Sequence, residues 1–457
     1  MLRMIALLLL TVAALAGAAV AQKAQQPFFP YPMRVEKLKN GMTVVRVPFR
    51  SPGLVAYYTV VRVGSRNEVE PLHTGFAHFF EHVMFKGTKR FPEGTRDKLL
   101  ASLGFNDNAY TEDDFTLYHS FGPSSGLQQL VEVEADRFRN LSYSEETFQT
   151  EAKAVLGEYH KSAANPELKI EEELARTAFE RHTYRHTTLG FYEDIKRMPQ
   201  YYSYSLEFFH RWYAPDNAML FVVGDFDDAK LMQWVRENYG PWKGTSARMR
   251  IPSEPRQQGE REAKIEWPTP TLPRLIHAWH TPGSTLEDLN SAIQSVLGAY
   301  LVGPTSPLYK ELVLDKHLAE SIGTRFYDHR DPHLFALQAT LSDEQSRERV
   351  EVAFEAAVQQ LLDADVDAKR VADIKSNLRY ARPMSLETAE QVAEQLAVHA
   401  GVYGAPNALE LHYRDLVKVQ PGDLVAFARR HLVPRNRTTL ALTAKELPQA
   451  QEGKPKT

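Results

Sequence analysis

The sequence predicts an α+β chain made of two homologous domains, each a mostly antiparallel sheet with packed helices. Three observations carry this reading. Runs rich in β-branched and aromatic residues alternate with amphipathic helical segments in both halves, an order that lays helices against a sheet. The segment Phe208-Phe-His-Arg-Trp-Tyr-Ala-Pro-Asp-Asn217 returns as Phe427-Ala-Arg-Arg-His-Leu-Val-Pro-Arg-Asn436, with Phe, Arg, Pro and Asn in register at an offset of 219 residues. Between the copies, Pro252, Pro255, Gly259 and a mixed charge run give residues 243–267 the composition of a linker. The expected domains are therefore 30–243 and 268–446, joined by a linker over 244–267.

The chain opens with the pattern of a secretory signal. Arg3 supplies a basic start, Met4 to Val12 an apolar stretch, and Ala19-Val20-Ala21 a small-residue cleavage site, so cleavage after Ala21 and export are expected. The sequence has no cysteine, which excludes a disulfide framework, a thiolate metal site and a cysteine nucleophile. An exported protein without disulfides suits a bacterial periplasm. A net charge of −4 argues against nucleic acid as a partner, and no later segment reads as a membrane span.

Within the first domain, Val35 to Val47 alternates around Asn40-Gly41 and predicts a hairpin with a type I′ turn. Leu54 to Val63 is a second strand-like run, ending at Gly64-Ser-Arg-Asn-Glu68. A helix follows, with Thr74 as its cap and Gly87 beyond its end. Asp97 to Leu103 reads as helix and stops at Gly104. Asn106 to His119 holds two strand-like runs separated by an acidic turn, and Gly126 to Leu141 is an amphipathic helix. Ser144 starts another helix, which carries Glu151 and Glu158 seven residues apart on one face. A helix over 205–212, a strand over 218–224 and a helix over 228–239 close the first copy. The second opens with a strand at 275–280 and a helix over 286–301.

The chemistry lies in His78-Phe79-Phe80-Glu81-His82. At roughly 100° per residue, His78, Glu81 and His82 share one helix face. Two imidazoles at i and i+4 suit zinc, which in catalytic sites takes three protein ligands and leaves a position for water. The carboxylate beside the second histidine is placed to take a proton from that water. The order is the inverse of H-E-x-x-H. A third ligand is still needed, and the acidic helix face bearing Glu151 and Glu158 is able to supply it.

These pieces resemble the M16 metallopeptidases, the family of pitrilysin, insulin-degrading enzyme and the mitochondrial processing peptidase, and most closely their short bacterial members. The matching segments are Gly64 to Glu68, His78 to His82 with Phe85-Lys-Gly-Thr88, Asn108-Ala-Tyr-Thr111, Ala135-Asp-Arg137, Glu151 with Glu158, and Tyr213-Ala-Pro-Asp-Asn217 before Val223-Gly-Asp225. The resemblance implies a zinc endopeptidase with one Zn2+ per chain. It selects Glu158, 76 positions after His82, as third ligand alongside His78 and His82. Glu81 becomes the catalytic acid–base, and Glu151 an accompanying acidic group that orients a ligand or the water. Asn108, Ala109 and Tyr110 become the sheet edge on which an extended peptide lies as an added strand.

One departure from the family stands out. Active members resembling this chain place an Arg and a Tyr in the second domain, where Leu312-Val-Leu-Asp-Lys-His-Leu-Ala-Glu320 puts Val313 and Glu320. This implies the catalytic subunit of a heterodimer, whose partner is a homologous subunit lacking the zinc motif, or else a self-dimer. Arg325 and Tyr327 are the alternative source of the pair. The competing reading is a non-catalytic assembly or peptide-binding subunit of the same fold, against which the intact His78, Glu81, His82, Glu151 and Glu158 weigh.

Overall fold

The computed structural model describes residues 28–381 and 386–444, so the expected signal segment 1–21 and the last residues of the second domain lie outside the described residues. Strands β1 (Arg34–Lys37), β2 (Thr43–Pro48), β3 (Leu54–Val61), β4 (Asn106–Thr111), β5 (Thr116–Pro123) and β6 (Ala218–Gly224) form one sheet of order β1-β2-β6-β3-β5-β4. Strands β7 (Arg261–Trp267), β8 (Arg274–Thr281), β9 (Ala319–Arg325), β10 (His333–Leu341) and β11 (Arg437–Ala444) form a second of order β7-β11-β8-β10-β9. The principal helices are α1 (Phe76–Val83), α2 (Leu127–Asn140), α3 (Glu145–Ser162), α4 (Pro166–Ala178), α5 (Tyr202–Trp212), α6 (Asn290–Val302), α7 (Arg347–Asp363), α8 (Ala389–Tyr403) and α9 (Pro421–His431).

Leaving β1 aside, the two sheets correspond strand for strand. β2 and β6 pair in parallel, as do β7 and β11, and every other neighbouring pair is antiparallel. The repeated Asn plays the same part in each copy. Asn217 Nδ2 donates to the Trp212 carbonyl at 3.0 Å and Asn436 Nδ2 to the His431 carbonyl at 2.8 Å, each closing the end of the helix that feeds an inner strand, β6 or β11.

Successive residues of a strand point to opposite faces, and the first sheet buries both. Val44, Val55 and Tyr57 face the helices of their own half, whereas Val45, Val47, Ala56 and Tyr58 face away from them. A helix from the other half covers that second face. α8 lays Val392, Leu396 and Ala400 on it, while α4 lays Ile170, Leu174 and Ala178 on Ala263, Ile265, Ile276 and Leu440 of the second sheet. The halves thus exchange helices. The signal for α4 was present in the sequence: Asn165 Oδ1 accepts from Glu167 N at 3.0 Å, Pro166 occupies the first turn, and apolar residues recur every four positions.

Two expectations need correction. The linker assigned to 244–267 is not linker throughout, because Arg261–Trp267 is strand β7, paired in parallel with β11. Its alternation buries Ala263 and Ile265 and exposes Glu262, Lys264 and Glu266, so the charge run is the solvent face of an edge strand. The Asn40-Gly41 turn is not type I′. Among the described residues only Leu72 and His317 have positive φ outside glycine, so Asn40 keeps a negative φ and Gly41 alone takes φ +100°. Gly41 N donates to the Leu38 carbonyl at 2.9 Å and Leu38 N to the Met42 carbonyl at 2.8 Å, a turn followed by a glycine bulge. Asn40 Nδ2 instead ties the hairpin to the carbonyls of Tyr239 and Trp242.

Candidate metal centre

Helix α1 presents the chemistry, and its cap differs from expectation. Gly75 is the N-cap at φ +86°, a conformation that favours glycine, and an added Cβ would lie 2.6 Å from the Leu189 carbonyl. Thr74 does not cap the helix. Its hydroxyl donates to Asp194 Oδ2 at 2.8 Å and accepts from Phe191 N at 2.8 Å. The orphan N–H groups go instead to buried Glu68, whose two oxygens accept from Gly75 N at 2.8 Å and Ala77 N at 2.7 Å. The Gly64 to Glu68 segment therefore fixes where the helix starts. Phe76, Phe79, Phe80 and Val83 then hold its buried face. Phe80 stacks on Phe208 of α5 with ring centroids 5.2 Å apart, and Phe79 meets Phe148 of α3 edge to face at 5.0 Å.

The opposite face brings the motif together with α3. His82 Nε2 lies 3.1 Å and His78 Nε2 3.7 Å from Glu158 Oε2, and the three ligand atoms all lie within 4.8 Å of one another. Burial, with the neighbouring His82 charge, pushes His78 down to about 3, so its ring stays neutral and offers a lone pair. Two neutral-capable imidazoles and one carboxylate fit the donor set of a three-ligand zinc site. His82 Nδ1 faces Glu151 Oε2 at 3.8 Å, and Lys86 Nζ pins Glu151 Oε1 at 2.6 Å. Glu151 thus sits behind His82, and Lys86 behind Glu151, an arrangement that would hold the His82 ring in place if it bound a metal.

Glu81 lies 4.0 Å from His78 Nε2 and accepts a hydrogen bond from Thr111 Oγ1 at 2.8 Å. Burial, reinforced by the Glu158 charge and opposed by the Thr111 hydroxyl, pushes its carboxyl up to about 7. Thr111 ends β4, one of the two outer strands of the first sheet. Asn108 is exposed there, Ala109 is buried, and Tyr110 donates from its hydroxyl to Glu394 Oε1 of α8 at 2.5 Å. The expected substrate edge and the expected acid–base are therefore joined by one hydroxyl. Lys86 and Thr111 fell inside recognised motifs, but only the fold reveals what each one touches.

Between the halves lies a cavity of about 720 Å³ whose wall includes Thr111, Glu171, Arg325, Tyr327 and Tyr403. Val313 packs against the core of the second half and Glu320 is exposed on β9. Arg325 pairs with Glu167 and Glu171 of α4, and Tyr327 is 71% exposed.

Known families match both halves. The family described as Insulinase (Peptidase family M16) matches residues 54–190, and Peptidase M16 inactive domain matches residues 205–378. The chain belongs to the M16 peptidase family. Among curated M16 relatives, the zinc protease PqqE of Helicobacter pylori is 27% identical over 414 residues, spanning 89% of this chain and 91% of that protein. The crystal structure of a protease from Helicobacter pylori agrees with a TM-score of 0.82 at 26% identity, over 90% of this chain and all of that one. The periplasmic protease PqqL of Escherichia coli has the same fold, with a TM-score of 0.73 at 18% identity; 90% of this chain is covered but 47% of that one.

Proposed function

We propose that this chain is a zinc-dependent endopeptidase that hydrolyses extended peptides or small unfolded proteins. The observation that carries the reading is the convergence of His78, His82 and Glu158 within 4.8 Å beside Glu81, at the end of an outer strand. His78, His82 and Glu158 would hold the metal. When bound, zinc supplies Lewis acidity, polarising the scissile carbonyl and lowering the pKa of a water toward about 7. Glu81 takes a proton from the attacking water and returns it to the leaving amine. Thr111 donates to Glu81 Oε2, the oxygen facing His78, and so orients the carboxylate, and Glu151, braced by Lys86, keeps the His82 ring in place. The Asn108 to Tyr110 edge aligns the peptide through main-chain hydrogen bonds, so selectivity is broad and set by side-chain pockets.

Val313 and Glu320, where an Arg and a Tyr are expected, support a catalytic subunit that works with a homologous subunit lacking the zinc motif, or with a second copy of itself. A second reading has its own support. Arg325 and Tyr327 line the cavity, so one chain carries both residue types beside the edge strand. The signal-like residues 1–21 and the periplasmic location named for PqqL support an exported, periplasmic protein. Among the described residues no helix is long and apolar enough to cross a membrane.

The test is hydrolysis of a quenched fluorescent peptide library by the mature chain, alone and mixed with a zinc-less homologue. Activity in the mixture alone supports the heterodimer. Equal activity without the partner assigns the grip to this chain and discards the heterodimer. No hydrolysis in either case, with zinc bound, moves the reading to a non-catalytic subunit.

A further inference from the structure

The two halves meet where their equivalent hairpin turns approach each other. The acidic turn Glu112-Asp113-Asp114 links β4 to β5, and residues 326–332 link β9 to β10. Across this contact His329 Nε2 lies 3.0 Å and His333 Nε2 4.0 Å from Asp113 Oδ2. The three ligand atoms fall within 4.8 Å of one another. These separations match the 3.1 and 3.7 Å found between Glu158 and the two histidines of α1.

Hydrogen-bond accounting sets this contact apart. His329 Nδ1 lies 2.9 Å from the Tyr327 carbonyl, which only accepts, so Nδ1 carries a proton. Nε2 then meets the carboxylate oxygen either through a second ring proton, which the Asp113 charge favours against burial by raising His329 to about 9, or through a cation in that proton's place. Asp113 Oδ1 is already used, accepting from Ser65 Oγ at 2.7 Å. Among the described residues Oδ2 meets only the two rings, His329 within hydrogen-bond reach and His333 beyond it. The group Asp328, His399 and His412 is a contrasting case. There the carboxylate already accepts the hydroxyls of Ser284, Ser291 and Tyr403, which leaves a cation little to bind.

We infer that Asp113, His329 and His333 form a second cation site, for zinc or a similar divalent transition metal, that clamps the two halves together. Two imidazoles and a carboxylate are a donor set such ions accept, and the Tyr327 carbonyl fixes the His329 tautomer as outer hydrogen bonds do for metal-bound histidines. All three residues line the cavity, which gives the ion a path in and a place for water as a further ligand. The rings are stacked 3.6 Å apart and 4° from parallel, so His333 must turn out of the stack to aim its lone pair. Its side chain is 24% exposed at the cavity wall, beside the rings of Tyr184 and Phe179. The clamp has a functional side. Asp113 lies two residues beyond Thr111, which holds Glu81, so the ion fixes the edge strand against the second half.

The site is tested by metal content and Co(II) spectra. The His78→Ala/His82→Ala chain lacks the first site, so the outcome is separable from the peptidase reading. It should retain about one zinc per chain after dialysis, show ligand-field bands with Co(II), and melt at a lower temperature once chelated. Adding His333→Ala should abolish all three. In the otherwise unaltered chain, His333→Ala should lower the zinc content from about two to about one, a readout that does not need the double variant to fold. A metal-free His78→Ala/His82→Ala chain, or zinc content unchanged by His333→Ala, overturns the site and assigns the contact to a shared proton.

Discussion

Glu81 and Glu151 have similar carboxylates but different partners, and the partners set their expected roles. Glu81 is held by a hydroxyl beside the proposed substrate edge, so on the proposed mechanism Glu81→Gln should keep its zinc and lose about 10²- to 10⁴-fold in kcat, read from peptide hydrolysis with metal content measured in parallel. Glu151 touches His82 and Lys86, so Glu151→Gln should weaken zinc binding by about 10- to 100-fold, measured by competition with a chelator. In that variant kcat at saturating zinc should change less than affinity. His78, Glu81 and His82 were legible in the sequence because five residues of one helix suffice to bring them together. Glu158 needed the family resemblance, since 76 residues separate it from His82. The contacts of Lys86 with Glu151 and of Thr111 with Glu81 cross between elements, and no periodicity encodes them.

Elements were legible where their pattern was local. Strands β3 and β6 and helices α2 and α3 follow from periodicity and caps, whereas β7 looked like a linker because its exposed face is all charge. Helix α2 shows how one element positions the edge strand. Its buried Glu134 accepts from Arg96 Nη2 at 2.8 Å and pairs with Arg137, while Arg96 also pairs with Asp107 of β4 at 2.7 Å. Burial raises the Glu134 carboxyl, but the Arg137 and Arg96 charges outweigh it and leave the group below its usual value. A carboxyl depressed in the folded state adds stability above the unfolded value of about 4.3, and that stability is lost as pH falls through the folded value. Glu134→Gln should remove this acid-sensitive component and cost about 3–5 kcal/mol at neutral pH by leaving two buried guanidinium groups short of charge, as denaturant titrations at several pH values would show.

At the scale of the whole molecule, the repeat at 219 residues announced two copies of one domain but not their helix exchange. Which sheet a helix covers depends on the path of the chain after it, and α4 and α8 each cross to the opposite half. The halves should therefore unfold together. Leu174→Ala, a change in the first half of the sequence, should cost about 2–5 kcal/mol and lower hydrogen-exchange protection in β8 and β11 of the second sheet. Protection lost only in the first sheet would contradict the exchange. The most direct test of the central claim is the kcat/KM for a quenched peptide, with zinc counted in the same samples, for the mature chain and for Glu81→Gln, each with the zinc-less homologue present. The account predicts hydrolysis by the first, almost none by the second, and equal zinc in both. Hydrolysis that survives Glu81→Gln, or a chain that binds no metal at His78, His82 and Glu158, would contradict it.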